Sequence, residues 1–140
     1  MKGVFHCRKC STALTGEITV RSTKDPAVTP PPMRDGEPIC EAGTAFKSYT
    51  SLQWAHDPAN PAPLEFAPQF WGNPLDFEAT TQPTRDPARL SGCCGLDGCD
   101  GPNMLCRICK TAVGTMQNDC WTPLIFVPEP DTTEFRKTDT

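Results

Sequence analysis

Long apolar runs are missing from this chain, and so are helical periodicity, a useful stock of histidine and any excess of basic charge. No stretch of about 18 apolar residues occurs, so no segment reads as a membrane-crossing helix. Nor does any window place apolar residues at i, i+3, i+4 and i+7 between clear caps, so little helix is expected. The two histidines, His6 and His56, stand in neither a His-x-x-x-His nor a His-x-Glu spacing. That removes the usual ligand sets of a catalytic zinc, and no catalytic residue is singled out. The formal charge of −4 argues against sequence-independent binding to nucleic acid, which relies on Lys and Arg to displace counterions from phosphates. Met1-Lys2-Gly3-Val4-Phe5-His6-Cys7 contains no apolar signal-peptide core, so a cytoplasmic, reducing setting is expected.

Core-forming residues are scarce as well. Hydrophobic residues make up 37% of the 140 positions, against roughly 45–50% apolar content in ordinary domains. A chain of this length is one domain's worth. With so little apolar material it needs a further cross-link to hold one structure.

What is abundant supplies that cross-link. There are 9 cysteines and 16 prolines. Cys7 and Cys10 form one Cys-x-x-Cys pair, Cys106 and Cys109 another. In a reducing compartment this spacing points to metal ligation before disulfides, because two intervening residues let the chain curl until both sulfurs face one ion. Residues 5–14, Phe-His-Cys-Arg-Lys-Cys-Ser-Thr-Ala-Leu, and 104–113, Met-Leu-Cys-Arg-Ile-Cys-Lys-Thr-Ala-Val, share both cysteines, the arginine, the threonine and the alanine. The pairs lie almost a hundred positions apart, far more than the about 15–20 of compact zinc ribbons. The repeat nonetheless gives both segments the same job, namely two knuckles that close on one zinc ion through Cys7, Cys10, Cys106 and Cys109.

A second cluster, Cys93, Cys94 and Cys99 with Cys120 further on, leaves a second zinc site open, with His6 or His56 available to complete it. The competing reading is a pair of Asp-Gly turns around Asp97 and Asp100 with one cysteine packed in the core. Those aspartates lack the remaining ligands of a calcium loop. Cys40 stands alone and reads as a small buried apolar residue.

Strand character follows each knuckle, at Gly16–Val20 and at Ala112–Thr115, then at Leu124–Val127, a continuous apolar run suited to a strand covered on both faces. Thr44–Thr50 is a further candidate with uneven alternation. Prolines interrupt most of the middle, and each removes a backbone donor and biases its predecessor toward extended backbone. Residues 52–90 therefore read as extended connection with at most one helical turn, fastened by Trp54, Phe66, Phe70, Trp71 and Phe77. The expected fold is mainly β: a small zinc-ribbon-like domain over 1–128 with an irregular proline-rich insertion over 24–90 and little helix. A polar tail, 129–140, is expected to be frayed or docked through Phe135 alone.

Gly92-Cys93-Cys94-Gly95-Leu96-Asp97-Gly98, then Gly101-Pro102-Asn103, Cys106-Arg107-Ile108-Cys109 and Asp119-Cys120-Trp121 resemble a segment of a group of uncharacterised bacterial zinc-ribbon-like proteins. In that group the segment is paired with an N-terminal knuckle such as Cys7/Cys10. The resemblance covers mostly the last third of the chain and implies metal binding, without an activity. Taken together, these features favour a non-enzymatic protein with structural zinc that engages an unknown protein partner through its aromatic, proline-rich insertion. Two alternatives stand beside it. Four thiolates also suit a rubredoxin-like iron or an iron–sulfur cluster for electron transfer. A nucleic-acid-binding zinc ribbon would use Arg8, Lys9, Arg107 and Lys110, which cluster if the knuckles meet.

Overall fold

In the computed structural model residues 1–51, 66–90, 92, 95–96, 101–120 and 122–139 are described. Nine strands run through them: β1 (Lys2–Cys7), β2 (Ile18–Ser22), β3 (Thr44–Ser48), β4 (Gln69–Gly72), β5 (Thr81–Pro83), β6 (Met104–Cys106), β7 (Ala112–Gln117), β8 (Ile125–Pro128) and β9 (Thr133–Lys137). They form one sheet in the order β5-β6-β7-β8-β4-β3-β2-β1-β9, curled into a half-barrel. The chain is thus mainly β. Its helical content among the described residues is two 3₁₀ turns, Pro74–Asp76 and Pro87–Arg89. Each begins on a proline, and Asn73 or Asp86 caps it by accepting from Leu75 N or Ala88 N. Proline suits a first helical position because no donor is needed there.

Side-chain alternation explains the strands. In β1, Gly3, Phe5 and Cys7 point inward while Lys2 is exposed and Val4 and His6 are half-buried. In β2 the inward residues are Ile18 and Val20, whose branched side chains suit a pleated surface. β8 carries no polar face because the sheet is covered on both sides there. Phe126 enters the main core with Phe5, Leu14, Ile18, Val20, Phe77 and Val113, whereas Ile125 and Val127 join Ile39 and Trp71 in a second core. The same split accounts for the uneven β3, where Ala45 faces the first core and Phe46 packs against the second.

At the centre of the main core the rings of Phe77 and Phe126 stack at 3.9 Å with an interplanar angle of 7°. Two glycines make room for them. A Cβ on Gly72 would sit 3.1 Å from the Phe77 ring, and one on Gly114 would lie 3.0 Å from the Val127 carbonyl and still closer to the Phe126 ring.

Two expectations about connecting segments change. Residues 66–90 contribute two strands and two 3₁₀ turns rather than mere connection, because Trp71 and Phe77 are buried in the two cores and draw the backbone into the sheet. The segment 52–65, with Trp54 and His56, lies outside the described residues. The tail is held by more than Phe135. Strand β9 pairs with β1 over five positions, from Gly3↔Lys137 to Cys7↔Thr133. Phe135 packs at 4.9 Å from Phe5 and 5.6 Å from Phe70. The long loop between the parallel strands β2 and β3 is pinned by Ile39 N donating to Leu124 O at 3.0 Å and Leu124 N donating to Glu37 O at 2.8 Å. No helix among the described residues is long and apolar enough to cross a membrane.

Candidate metal centre

Curling the sheet brings the end of β1 against the end of β6, although six strand positions separate them in the sheet order. Each strand runs into a tight turn of the same construction. Cys7 N donates to Thr12 O at 2.9 Å and Ser11 N donates to Cys7 O at 2.8 Å. In the other turn Cys106 N donates to Thr111 O and Lys110 N to Cys106 O, both at 2.8 Å. Both turns reverse through a residue in the left-handed region, Ser11 at φ 61° and Lys110 at φ 64°. That conformation costs on the order of 1–3 kcal/mol outside glycine and persists only where its surroundings enforce it.

The result is a cluster of four sulfurs. One ligand atom from each of Cys7, Cys10, Cys106 and Cys109 lies within 4.8 Å of all the others. Two pairs cross between the knuckles, Cys7 to Cys109 at 3.5 Å and Cys10 to Cys106 at 3.7 Å. Bonds of about 2.3 Å to a single tetrahedral ion would separate the sulfurs by about 3.8 Å. The cluster therefore has the dimensions of a one-ion site. Cys7 and Cys106 are fully buried while Cys10 and Cys109 are partly exposed, so each knuckle offers one inner and one outer thiol.

Hydrogen bonding repeats in the same way. Burial raises the Cys7 thiol to about 11 against the pull of N–H donors from Cys10 and Lys9. Cys106 is likewise raised by burial and opposed by the N–H groups of Cys109 and Ile108. The outer thiols go the other way. Cys10 is lowered by the Thr12 hydroxyl, 2.9 Å away, and by the Thr12 N–H. For Cys109 burial is outweighed by the Thr111 hydroxyl, 3.2 Å away, and by the Thr111 N–H, and the pKa falls to about 6. Once these sulfurs are thiolates both hydroxyls must be the donors. N–H and O–H donors of this kind spread the negative charge that four thiolates concentrate on one ion.

The remaining sequence candidates fall elsewhere. Cys93, Cys94 and Cys99 lie outside the described residues, as does His56. Cys120 is exposed, and its N–H donates to Asp119 Oδ1 at 2.8 Å. His6 points away from the four sulfurs, with Nδ1 3.3 Å from Ser11 O. Cys40 is half-buried, with its thiol directed at Thr44 O, 3.2 Å away, and raised by burial. Among the described residues the four knuckle cysteines are the group of three or more His, Cys, Asp or Glu side chains placed to hold an ion. The basic side chains beside them are exposed, but three are occupied. Arg8 Nε donates to Thr133 O, Arg107 Nε to Thr81 O, and Lys110 Nζ to Gln82 Oε1. Sequence reasoning did not identify Thr12 and Thr111 as part of the site. Their identity across the repeat was the available signal.

No protein-family model, no curated protein and no solved structure matches this chain.

Proposed function

We propose that the chain is a zinc-binding protein with a structural ion, acting as a protein-interaction module rather than an enzyme. The observation that carries this reading is the set of four sulfurs crossing between the knuckles at 3.5 and 3.7 Å. Structural zinc takes four such ligands and leaves no position for water or substrate, whereas catalytic zinc keeps one open. Thiolates rather than carboxylates favour zinc over magnesium or calcium. A cluster of several irons and sulfides needs its cysteines spread wider than 4.8 Å, so the iron–sulfur alternative fits poorly. Mononuclear iron has nearly the same geometry and stays in contention. The nucleic-acid reading is weakened because Arg8, Arg107 and Lys110 are committed to the protein's own carbonyls and amides.

The interaction surface that suits this reading is an open groove of about 630 Å³ beside the first knuckle, walled by Phe70, Phe135, Pro68 and Pro130, with Arg8 and Lys47 at its rim. Aromatic and proline walls accept an extended segment, and Lys47, whose ammonium lies 5.8 Å from the Phe70 ring, favours an acidic one, since the groove's carboxylate, Glu134, is paired with Arg136. Elemental analysis of protein purified without chelator, together with its visible spectrum, tests the metal assignment. Zinc near one equivalent or more in a colourless sample supports it, and a coloured iron-loaded sample replaces it with the rubredoxin-like reading. The groove is tested by binding of acidic, proline-containing peptides to the full chain and to Lys47→Glu, which should lose them.

A further inference from the structure

The sequence repeat ends at residue 14 in one copy and 113 in the other, but the structural repeat goes further. It takes in two Thr-Thr turns with no shared sequence around them. Thr81 N and Oγ1 donate to Phe77 O at 3.1 and 2.7 Å, and Thr133 N and Oγ1 donate to Glu129 O at 3.0 and 2.6 Å. Each turn leads into an outermost strand of the sheet, β5 or β9.

Each turn also touches both knuckles. Arg8 donates from its N–H to Thr132 O at 2.8 Å and from Nε to Thr133 O at 2.7 Å. Arg107 donates from its N–H to Thr80 O at 2.9 Å and from Nε to Thr81 O at 2.8 Å. The hydroxyls reach the opposite way, Thr80 Oγ1 to Leu14 O and Thr132 Oγ1 to Ala112 O, both at 2.6 Å. A closed belt results. It runs from the first knuckle to Thr132-Thr133, to the second knuckle, to Thr80-Thr81, and back.

The belt joins halves that have exchanged their last strands. β5 ends the first half yet pairs with β6 of the second, and β9 ends the second half yet pairs with β1 of the first. The register adds a detail. With Arg8 N bonded to Thr132 O, Cys7 and Thr133 are a non-hydrogen-bonded pair, so the Thr133 carbonyl faces away from β1, on the side where no strand among the described residues pairs with β9. Thr81 opposite Cys106 is in the same position. Each arginine therefore folds around an edge strand and caps an outward carbonyl that would otherwise offer itself to another chain.

We propose that Arg8 and Arg107 are positioning residues of the metal centre, each tying its knuckle to the edge strand contributed by the other half, so that filling the four-thiolate site locks both outer edges of the sheet. This rests on the metal reading above. The coupling runs in both directions: a knuckle held by its ion fixes the arginine, and an arginine held by the edge fixes the knuckle.

The test uses the full chain, zinc as the metal, a competing chromophoric chelator for affinity, and amide hydrogen exchange for the edges. In the wild type, chelation should deprotect the amides of β5 and β9 before those of β3, β4 and β8. Arg8→Ala should weaken zinc binding on the order of tenfold, as loss of an outer-shell partner does, and should deprotect β9 while leaving β5 protected. Arg107→Ala should do the reverse. Lys24→Ala, an exposed cation just after β2 and outside both knuckles, should change neither. Zinc below half an equivalent in the wild type overturns the metal reading itself, before any variant is made. Zinc bound normally, with both edges indifferent to chelation or with both arginine variants binding zinc as the wild type does, overturns the positioning role alone.

Discussion

Replacing Cys106 by alanine isolates the contribution of the metal. The side chain is fully buried and its sulfur sits 3.7 Å from that of Cys10, so the change removes one ligand. The backbone bonds of the turn, Cys106 N to Thr111 O and Lys110 N to Cys106 O, do not involve the thiol and remain possible. A ligand that binds only the folded state stabilises it by RT ln(1 + [L]/Kd), which is about 4 kcal/mol when its free concentration is a thousand times Kd. If the three-thiolate site binds a thousandfold more weakly, that contribution falls to about 0.4 kcal/mol by the same relation. The difference, close to 4 kcal/mol, corresponds to a fall of roughly 8–16 °C in Tm for a chain of this size. A chain-entropy estimate has the same scale. Cys10 and Cys106 are 96 positions apart, and a cross-link closing a loop of about 100 residues removes about 4.7 kcal/mol of unfolded-state entropy. Thermal melts should therefore show Cys106→Ala well below the wild type and shifted by chelator only by about 1 °C, with chelated wild type falling to meet it. Cys40→Ala, which touches no knuckle, should stay sensitive to chelator. Coincident melting of Cys106→Ala and wild type, with no response to chelator, would refute the reasoning.

Other outcomes follow from the core and from thiolate chemistry. Gly114→Ala drives a methyl group into the Phe126 ring and the Val127 carbonyl, and should cost about 1–3 kcal/mol in a denaturant titration. Phe77→Ala removes one member of the 3.9 Å stack and should cost about 3–5 kcal/mol, read the same way. Acidification should release the ion with uptake of more than one proton per ion, because the ligands bind only as thiolates. A pH series of zinc retention checks it.

The knuckles were legible because a Cys-x-x-Cys spacing lets two sulfurs face one point in any folding context. So were the β-branched run of β2 and the apolar run of β8, whose composition matches their burial. β9 was not legible. Thr133-Glu134-Phe135-Arg136-Lys137 is a strand because β1 lies alongside it, and only Thr133 is fully buried. β4 was masked by its own richness, since Phe70 and Trp71 serve different cores and no period-2 pattern results. The Thr-Thr turns were invisible for a simpler reason. They act largely through carbonyl oxygens, which every residue carries. Cys93, Cys94 and Cys99, so prominent in the sequence, lie outside the described residues, and the metal count alone bears on them.

X-ray absorption at the metal edge of the purified full chain tests the central claim most directly. One ion held by Cys7, Cys10, Cys106 and Cys109 predicts a first shell of four sulfurs at about 2.3 Å, reduced or lost in Cys106→Ala. A first shell containing oxygen or nitrogen, or a spectrum unchanged by Cys106→Ala, would contradict it.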